Sequence, residues 1–190
     1  MNSTEQKTRL VIYDFDGTLF NSPDREFGEK KYIELTGEKF PHKGWWGRVE
    51  SLLPPIVPLI PDKSWFIEET INAYKEDIKC EKTSCMLMTG RPFKIRKRIF
   101  EILESQKLLF HFYVFRGQKG QFGNDTLEIK INAIDDHLAS NNIKTLEIWE
   151  DRPEHADHFC KYAINSCKNA KLEEAIIHDI ATGQKHKFFK

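Results

Sequence analysis

The chain has 190 residues, 39% of them hydrophobic and 31% charged, with 14 Phe. That composition excludes disorder over most of the length and suits one domain that buries about 70% of its unfolded surface. Lys plus Arg and Asp plus Glu each number 29, so no overall field draws the chain onto nucleic acid or a membrane, and any basic work must be local.

Residues 1–7 have no apolar core, Asn2 stands where myristoylation needs Gly, and no run of about 18 apolar residues occurs. The expectation is a cytoplasmic or nuclear protein with no membrane partner. Cys80, Cys85, Cys160 and Cys167 form no Cys-x-x-Cys pair and read as free thiols.

Residues 9–15 are a short apolar run that reads as a buried strand ending in acids. Ser22-Pro23-Asp24 opens a helix that Gly37 closes. Residues 38–61 are irregular, because four prolines at 54, 55, 58 and 61 forbid a helix or a central strand. Asp62 caps a helix on which Ile67, Ile71, Tyr74 and Ile78 recur at helical spacing. Residues 84–89 form a second strand, and Ile95, Ile99, Ile102 and Leu103 mark the helix after it. Residues 110–115 are a third strand, 117–123 a Gly-rich loop, and Leu127, Ile131, Ile134 and Leu138 the next helix. Residues 146–149 are a fourth strand, followed by a helix from near Pro153. Residues 174–178 suggest a fifth strand, and 183–190 look frayed. Strands alternating with helices predict an α/β fold, a Rossmann-like doubly wound parallel sheet, in a single domain over 1–190 with a small insert at 21–62.

Ligands of such sheets bind at the carboxyl ends of the strands. The first strand ends in Asp14-Phe15-Asp16-Gly17-Thr18. Alternation points Asp14 and Asp16 the same way, and two carboxylates at one strand end call for a cation. Hard oxygen donors favour Mg²⁺. The bland reading is a solvated turn. The second strand ends in Thr89-Gly90-Arg91, a hydroxyl and turn amides suited to phosphate oxygens, or an ordinary cap. Lys130 stands in the first turns of a helix, with Lys119 a rival. Glu150-Asp151 is a second acidic pair, or a helix cap before Pro153.

Asp14-x-Asp16-Gly17-Thr18, Thr89, Lys130 and Glu150-Asp151, in that order, resemble the haloacid dehalogenase (HAD) superfamily of phosphohydrolases. Trp45-Trp46, Leu87-Met88-Thr89-Gly90-Arg91 and Trp149-Glu150-Asp151-Arg152 resemble, more narrowly, the HAD domain of Swiss Army Knife RNA-repair-like proteins. The resemblance implies a catalytic set of Asp14, Asp16, Thr89 and Lys130. Asp14 would form an aspartyl-phosphate and Asp16 would serve as general acid and then base. Mg²⁺ would be held by Asp14, the Asp16 carbonyl, Asp151 and Glu150. Thr18, Gly90, Arg91, Trp45, Trp46 and Lys94 form the expected substrate-binding set. An insert without a large cap leaves the site open and suits a nucleic-acid terminus, an RNA end above all, with any kinase or ligase a separate partner. A small-molecule phosphomonoesterase and a non-catalytic nucleic-acid-binding module are the alternatives.

Four features carry two readings each. Residues 91–98 hold five basic side chains, either a solvated face or a contact for a substrate backbone. Trp45 and Trp46 either stack on bases or anchor the insert, and the anchor is preferred. Residues 54–61 resemble a polyproline ligand, but their Leu, Ile and Val favour burial. His155, His158 and Cys160 lack zinc-ligand spacing, and the histidines read as solvated.

Overall fold

A computed structural model describes residues 6–121, 123 and 125–190. Part of the leading segment and of the Gly-rich loop therefore lies outside the described residues. Six strands form one sheet in the order β3-β2-β1-β4-β5-β6. They are β1 (Arg9–Tyr13), β2 (Thr83–Pro92), β3 (Phe112–Arg116), β4 (Thr145–Glu150), β5 (Glu174–Asp179) and β6 (Gln184–Phe189). The first five run parallel, and only β6 is antiparallel to its neighbour β5. The helices are α1 (Arg25–Thr36), α2 (Glu68–Asp77), α3 (Arg96–Glu104), α4 (Thr126–Ser140) and α5 (Pro153–Lys168).

Alternation along the strands divides the core in two. Val11, Tyr13, Cys85, Leu87 and Trp149 face one side, where α2, α3 and the segment after β1 cover them. Leu10, Ile12, Met86, Met88, Leu146, Ile148 and Ile177 face the other, against α4 and α5. Trp45, Leu52, Ile56 and Val57 of the inserted stretch join the first core, so it packs as part of the domain. Arg98 ties it down from α3. Its guanidinium donates to the carbonyls of Leu52 (2.8 Å), Leu59 (2.8 Å) and Pro58 (2.7 Å).

The structure differs from the sequence reading at four places. Residues 183–190 are not frayed. Gly183 takes a left-handed φ of 67°, and β6 pairs back on β5 from Asp179↔Gln184 to Glu174↔Phe189. Asp62 caps only the short 3₁₀ turn Lys63–Trp65, and α2 begins at Glu68. The residues between are drawn into extended pairing, with the Asn21 amide on the Trp65 carbonyl (2.8 Å) and the Ile67 amide on the Leu19 carbonyl (3.1 Å). Asp24, rather than Ser22, caps α1, accepting from the Phe27 amide at 2.8 Å. In the proline-rich stretch Ile56 and Val57 are buried, whereas Leu59 and Ile60 are 64% and 79% exposed.

Candidate active site

β1 lies between β2 and β4, where strand order reverses, so its carboxyl end opens a crevice. Asp14 follows directly on β1, its amide donating to the Trp149 carbonyl at 3.0 Å. Glu150 ends β4, and Asp151 begins the turn into α5. Oxygens of Asp14, Glu150 and Asp151 lie within 4.8 Å of one another. Lys130, on the second turn of α4, reaches into this group. Its ammonium donates to Asp14 at 2.5 Å and to Glu150 at 2.6 Å, and it is 1% exposed. Lys119 is exposed. The lysine that touches the acids is therefore Lys130.

The electrostatics are unbalanced. Three carboxylates face one ammonium. Burial, reinforced by Glu150, Asp16 and Asp151, drives the Asp14 carboxyl well above its usual range despite Lys130. Burial and the neighbouring Glu150 push Asp151 up to about 7. Glu150 goes the other way. Burial works to raise it, but Lys130 and His155 outweigh burial and hold it below the ordinary carboxylate range. Burial likewise disfavours the Lys130 ammonium, and Asp14 and Glu150 overcome that and raise it.

Gly17 makes the approach possible. Its φ is 69°, and a Cβ there would sit 2.2 Å from Asp151 Oδ2. The turn it allows brings the loop back, with the Gly17 amide on the Phe20 carbonyl at 2.9 Å.

Asp14 and Asp16 take different partners, although Asp16 lies near enough to help raise the Asp14 carboxyl. Arg91 takes the Asp16 carboxylate instead, with Nε at 2.9 Å from Oδ2 and Nη2 at 2.7 Å from Oδ1. Asp16 does not belong to the close carboxylate group, and the metal contact expected of it is left to its main-chain carbonyl.

Arg91 also differs from expectation. It is 1% exposed, and Nη1 donates to the Trp46 carbonyl (3.1 Å) and Ser51 Oγ (2.7 Å). It is a clamp joining Asp16 to the insert, not an open phosphate ligand. The register of β2 against β3 shifts between Thr89 and Pro92, and this irregularity sets Gly90 and Arg91 off the ladder. Thr89 Oγ1 accepts from the Arg91 amide at 3.1 Å and keeps its own O–H to donate.

Three expected substrate contacts lie elsewhere. Trp45 is 2% exposed, donates Nε1 to the Pro23 carbonyl at 2.9 Å, and lies so close to Gly28 that a Cβ there would meet the indole at 2.1 Å. It is an anchor of the insert. Thr18 is fully buried, and its hydroxyl has no hydrogen-bond partner among the described residues. Lys94 lines a second cleft beside the insert.

Trp46 remains at the site. With Asp16, Gly90, Arg91 and Asp151 it lines a crevice of about 290 Å³. Sequence reasoning missed the other wall, which is formed by Arg116, Thr126 and Arg152. Arg116 closes β3 and Thr126 opens α4, so both stand at the same sheet end as the acids. Position at the strand end is the signal that could have found them.

The family model for HAD domain family 1 in Swiss Army Knife RNA repair proteins matches residues 27–187. Asp14, Asp16 and Thr18 precede that span. The HAD domain of the effector protein Lem4 from Legionella pneumophila superposes with a TM-score of 0.53 at 15% identity, covering 91% of this chain and 85% of that one. A chain of the Pnkp1/Rnl/Hen1 RNA repair complex superposes with a TM-score of 0.50 at 14% identity over 85% of this chain. The present chain spans only 44% of that one. These likenesses are of fold. No helix among the described residues is long and apolar enough to cross a membrane. By the extent of the family match, this chain belongs to HAD domain family 1 of the Swiss Army Knife RNA repair proteins.

Proposed function

We propose that the chain is a Mg²⁺-dependent phosphatase that removes a terminal phosphate from RNA through an aspartyl-phosphate on Asp14. The observation that carries this reading is the meeting of Asp14, Glu150 and Asp151 with a single buried ammonium at the carboxyl ends of β1 and β4.

The donor set fits the ion. All donors are hard carboxylate oxygens within reach of one another, and their charge exceeds that of Lys130. Asp14, Glu150 and Asp151 would hold it. When bound, Mg²⁺ supplies positive charge that keeps Asp14 ionised and draws a phosphoryl oxygen toward the cluster.

The chain's own groups divide the rest. An Asp14 oxygen attacks phosphorus as the bond to the leaving oxygen breaks, and Asp16 gives that oxygen a proton. In the second half Asp16 takes a proton from water, and water oxygen displaces Asp14 from phosphorus. Arg91 aims the Asp16 carboxyl through its two contacts and is a positioning residue. The Lys130 ammonium and the Thr89 hydroxyl stabilise charge on the transferring oxygens, the largest contribution open to a protein in phosphoryl transfer.

The RNA substrate is supported by the family match and by the arginines of the crevice, Arg116 and Arg152. Repair enzymes acting on the same end would be separate partners. The test is Mg²⁺-dependent phosphate release from RNA carrying a 5′- or 3′-phosphate, with a mononucleotide and Asp14→Asn in parallel. Faster release from one RNA end, absent in the variant, is expected and names the end. Release from the mononucleotide alone would overturn the RNA assignment.

A further inference from the structure

The basic residues after β2 are not one face. Arg91 is buried between Asp16 and the insert and Arg98 is buried against the insert, so their charge is not offered outward. Lys94 and Lys97 are exposed and have no ion-pair partner among the described residues. They share a cleft of about 390 Å³ with Arg48 from the insert. The cations of its lining, Arg48, Lys94, Lys97 and Arg98, outnumber its two acids, Glu50 and Glu101. Glu50 lies 3.1 Å from His42 and Glu101 lies 3.4 Å from Arg98. The cleft therefore keeps a surplus of uncommitted positive charge.

This cleft adjoins the acidic crevice. Trp46 lines the crevice, and Gly47, the next residue, lines the cleft. Across the gap Arg91 lines the crevice, and Lys94, three residues on, lines the cleft. Trp46 stands at the junction, 44% exposed, with the Arg91 guanidinium 4.9 Å from its ring centre. Three lysines and arginines at the N-terminal end of α3 oppose its dipole by about 0.3–1 kcal/mol each at low salt, a placement that a bound anion reverses. The chemistry that fits a large exposed indole followed by spaced cations is a base and then phosphodiesters.

We propose that the cleft between the insert and α3 is a second binding site. It holds the internucleotide phosphates of a single-stranded nucleic acid whose terminal nucleotide stacks on Trp46 and whose end enters the acidic crevice. The proposal rests on the phosphatase reading for what happens at that end, but binding in the cleft does not require turnover.

The test is a fluorescence-anisotropy titration of a labelled single-stranded RNA hexamer without terminal phosphates, at several salt concentrations. Wild type is compared with Lys94→Ala/Lys97→Ala, and Trp46→Ala is measured separately. Folding of each variant is checked by thermal melting. Each lost phosphate contact should lower the salt slope by about 0.7, so the double variant should lose about 1.4 and bind roughly tenfold more weakly near 0.1 M salt. Trp46→Ala should weaken binding by about fivefold or more with the salt slope kept, since stacking carries no counterion release.

Equal affinity and slope for wild type and the double variant would overturn the cleft. Equal binding of an acidic hexapeptide would overturn the nucleic-acid assignment. Loss of slope in the double variant, together with no phosphate release from any substrate, would leave the cleft standing and overturn the phosphatase.

Discussion

Two charged groups are buried on the same pair of strands, and they are built on opposite rules. At the strand ends Asp14, Glu150 and Asp151 share one ammonium. On the sheet face below them, Arg9 donates to Asp77 and to Glu147, both at 2.5 Å. Tyr13 donates to the other oxygen of Asp77 at 2.6 Å, and His178 contacts Glu147 at 2.6 Å while stacking on Trp149 at 3.6 Å between ring centres. In this lower group two acids meet an arginine, an imidazole and a phenol. Burial raises the Glu147 carboxyl, but His178 and Arg9 outweigh it and bring it down to about 2. At the strand ends the same burial leaves Asp14 raised, because one lysine cannot serve three acids. An ion group that satisfies itself holds a fold. One left short of positive charge binds something that supplies it.

The largest expected effect breaks the upper group. Asp14→Asn should abolish phosphate release, by about 10⁴-fold or more if the nucleophile assignment holds. Its melting temperature should be no lower than that of wild type, because a crowded buried carboxylate is replaced by a neutral group. Activity within tenfold of wild type would overturn the covalent route.

Glu147→Gln should do the reverse. It leaves activity in place and costs about 1.5–3 kcal/mol of stability, since it strips a charge-assisted pair from Arg9 and from His178. The pH dependence sharpens the point. Glu147 has a folded pKa of about 2, below its unfolded value near 4.3. Its contribution is therefore whole above about pH 5 and disappears as pH falls toward 2. Urea midpoints between pH 7 and pH 3 should fall less in Glu147→Gln than in wild type. Parallel curves would remove the network from the account of acid stability.

Added Mg²⁺ separates the two groups directly. At a hundredfold excess over Kd it should stabilise wild type by about 2.7 kcal/mol. Asp151→Asn should lose most of that gain, whereas Glu147→Gln should keep it. A gain that survives in Asp151→Asn would place the ion elsewhere.

Much of this arrangement was legible in the residue order, because parallel strands are short apolar runs and their ends carry the chemistry. Asp14, Thr89, Lys130 and Glu150-Asp151 stand at such ends or at helix starts, and the fold brings Asp14, Lys130, Glu150 and Asp151 together. What was not legible depends on pairing between distant segments. Sequence alone does not show that Arg91 turns inward onto Asp16, because the irregularity in β2 is visible only beside β3. Trp45 and Trp46 are neighbours with the same chemistry. Which one is buried depends on a distant fit: Gly28 leaves room for the Trp45 indole, and the Pro23 carbonyl accepts from its Nε1. The lower network was missed because Arg9, Asp77, Glu147 and His178 look like ordinary surface charges until β1, α2, β4 and β5 come together. Residues 183–190 look like a tail in the sequence because their Lys-His-Lys stretch is polar, yet Phe188 packs against the α4–α5 core and the Gly183 turn sets the register.

The smallest effect is expected at the edge of the upper group, and it tests how far that group extends. Thr18 follows Asp16 and Gly17, and it was expected to meet substrate. Its hydroxyl is buried with no partner among the described residues, so it carries a desolvation cost of about 1–3 kcal/mol with no hydrogen bond to offset it. Thr18→Val removes that polar atom and keeps the β-branched shape. Stability should stay level or rise by up to about 1 kcal/mol, and phosphate release should change less than threefold. The matched variant Thr89→Val removes a hydroxyl that accepts from the Arg91 amide and keeps an O–H to donate, so it should lose activity by about tenfold or more. If Thr18→Val were the more damaging of the two, the Asp14–Phe20 turn would have to open during turnover and present Thr18 to the phosphoryl group. The acidic crevice would then be only the closed form of the site.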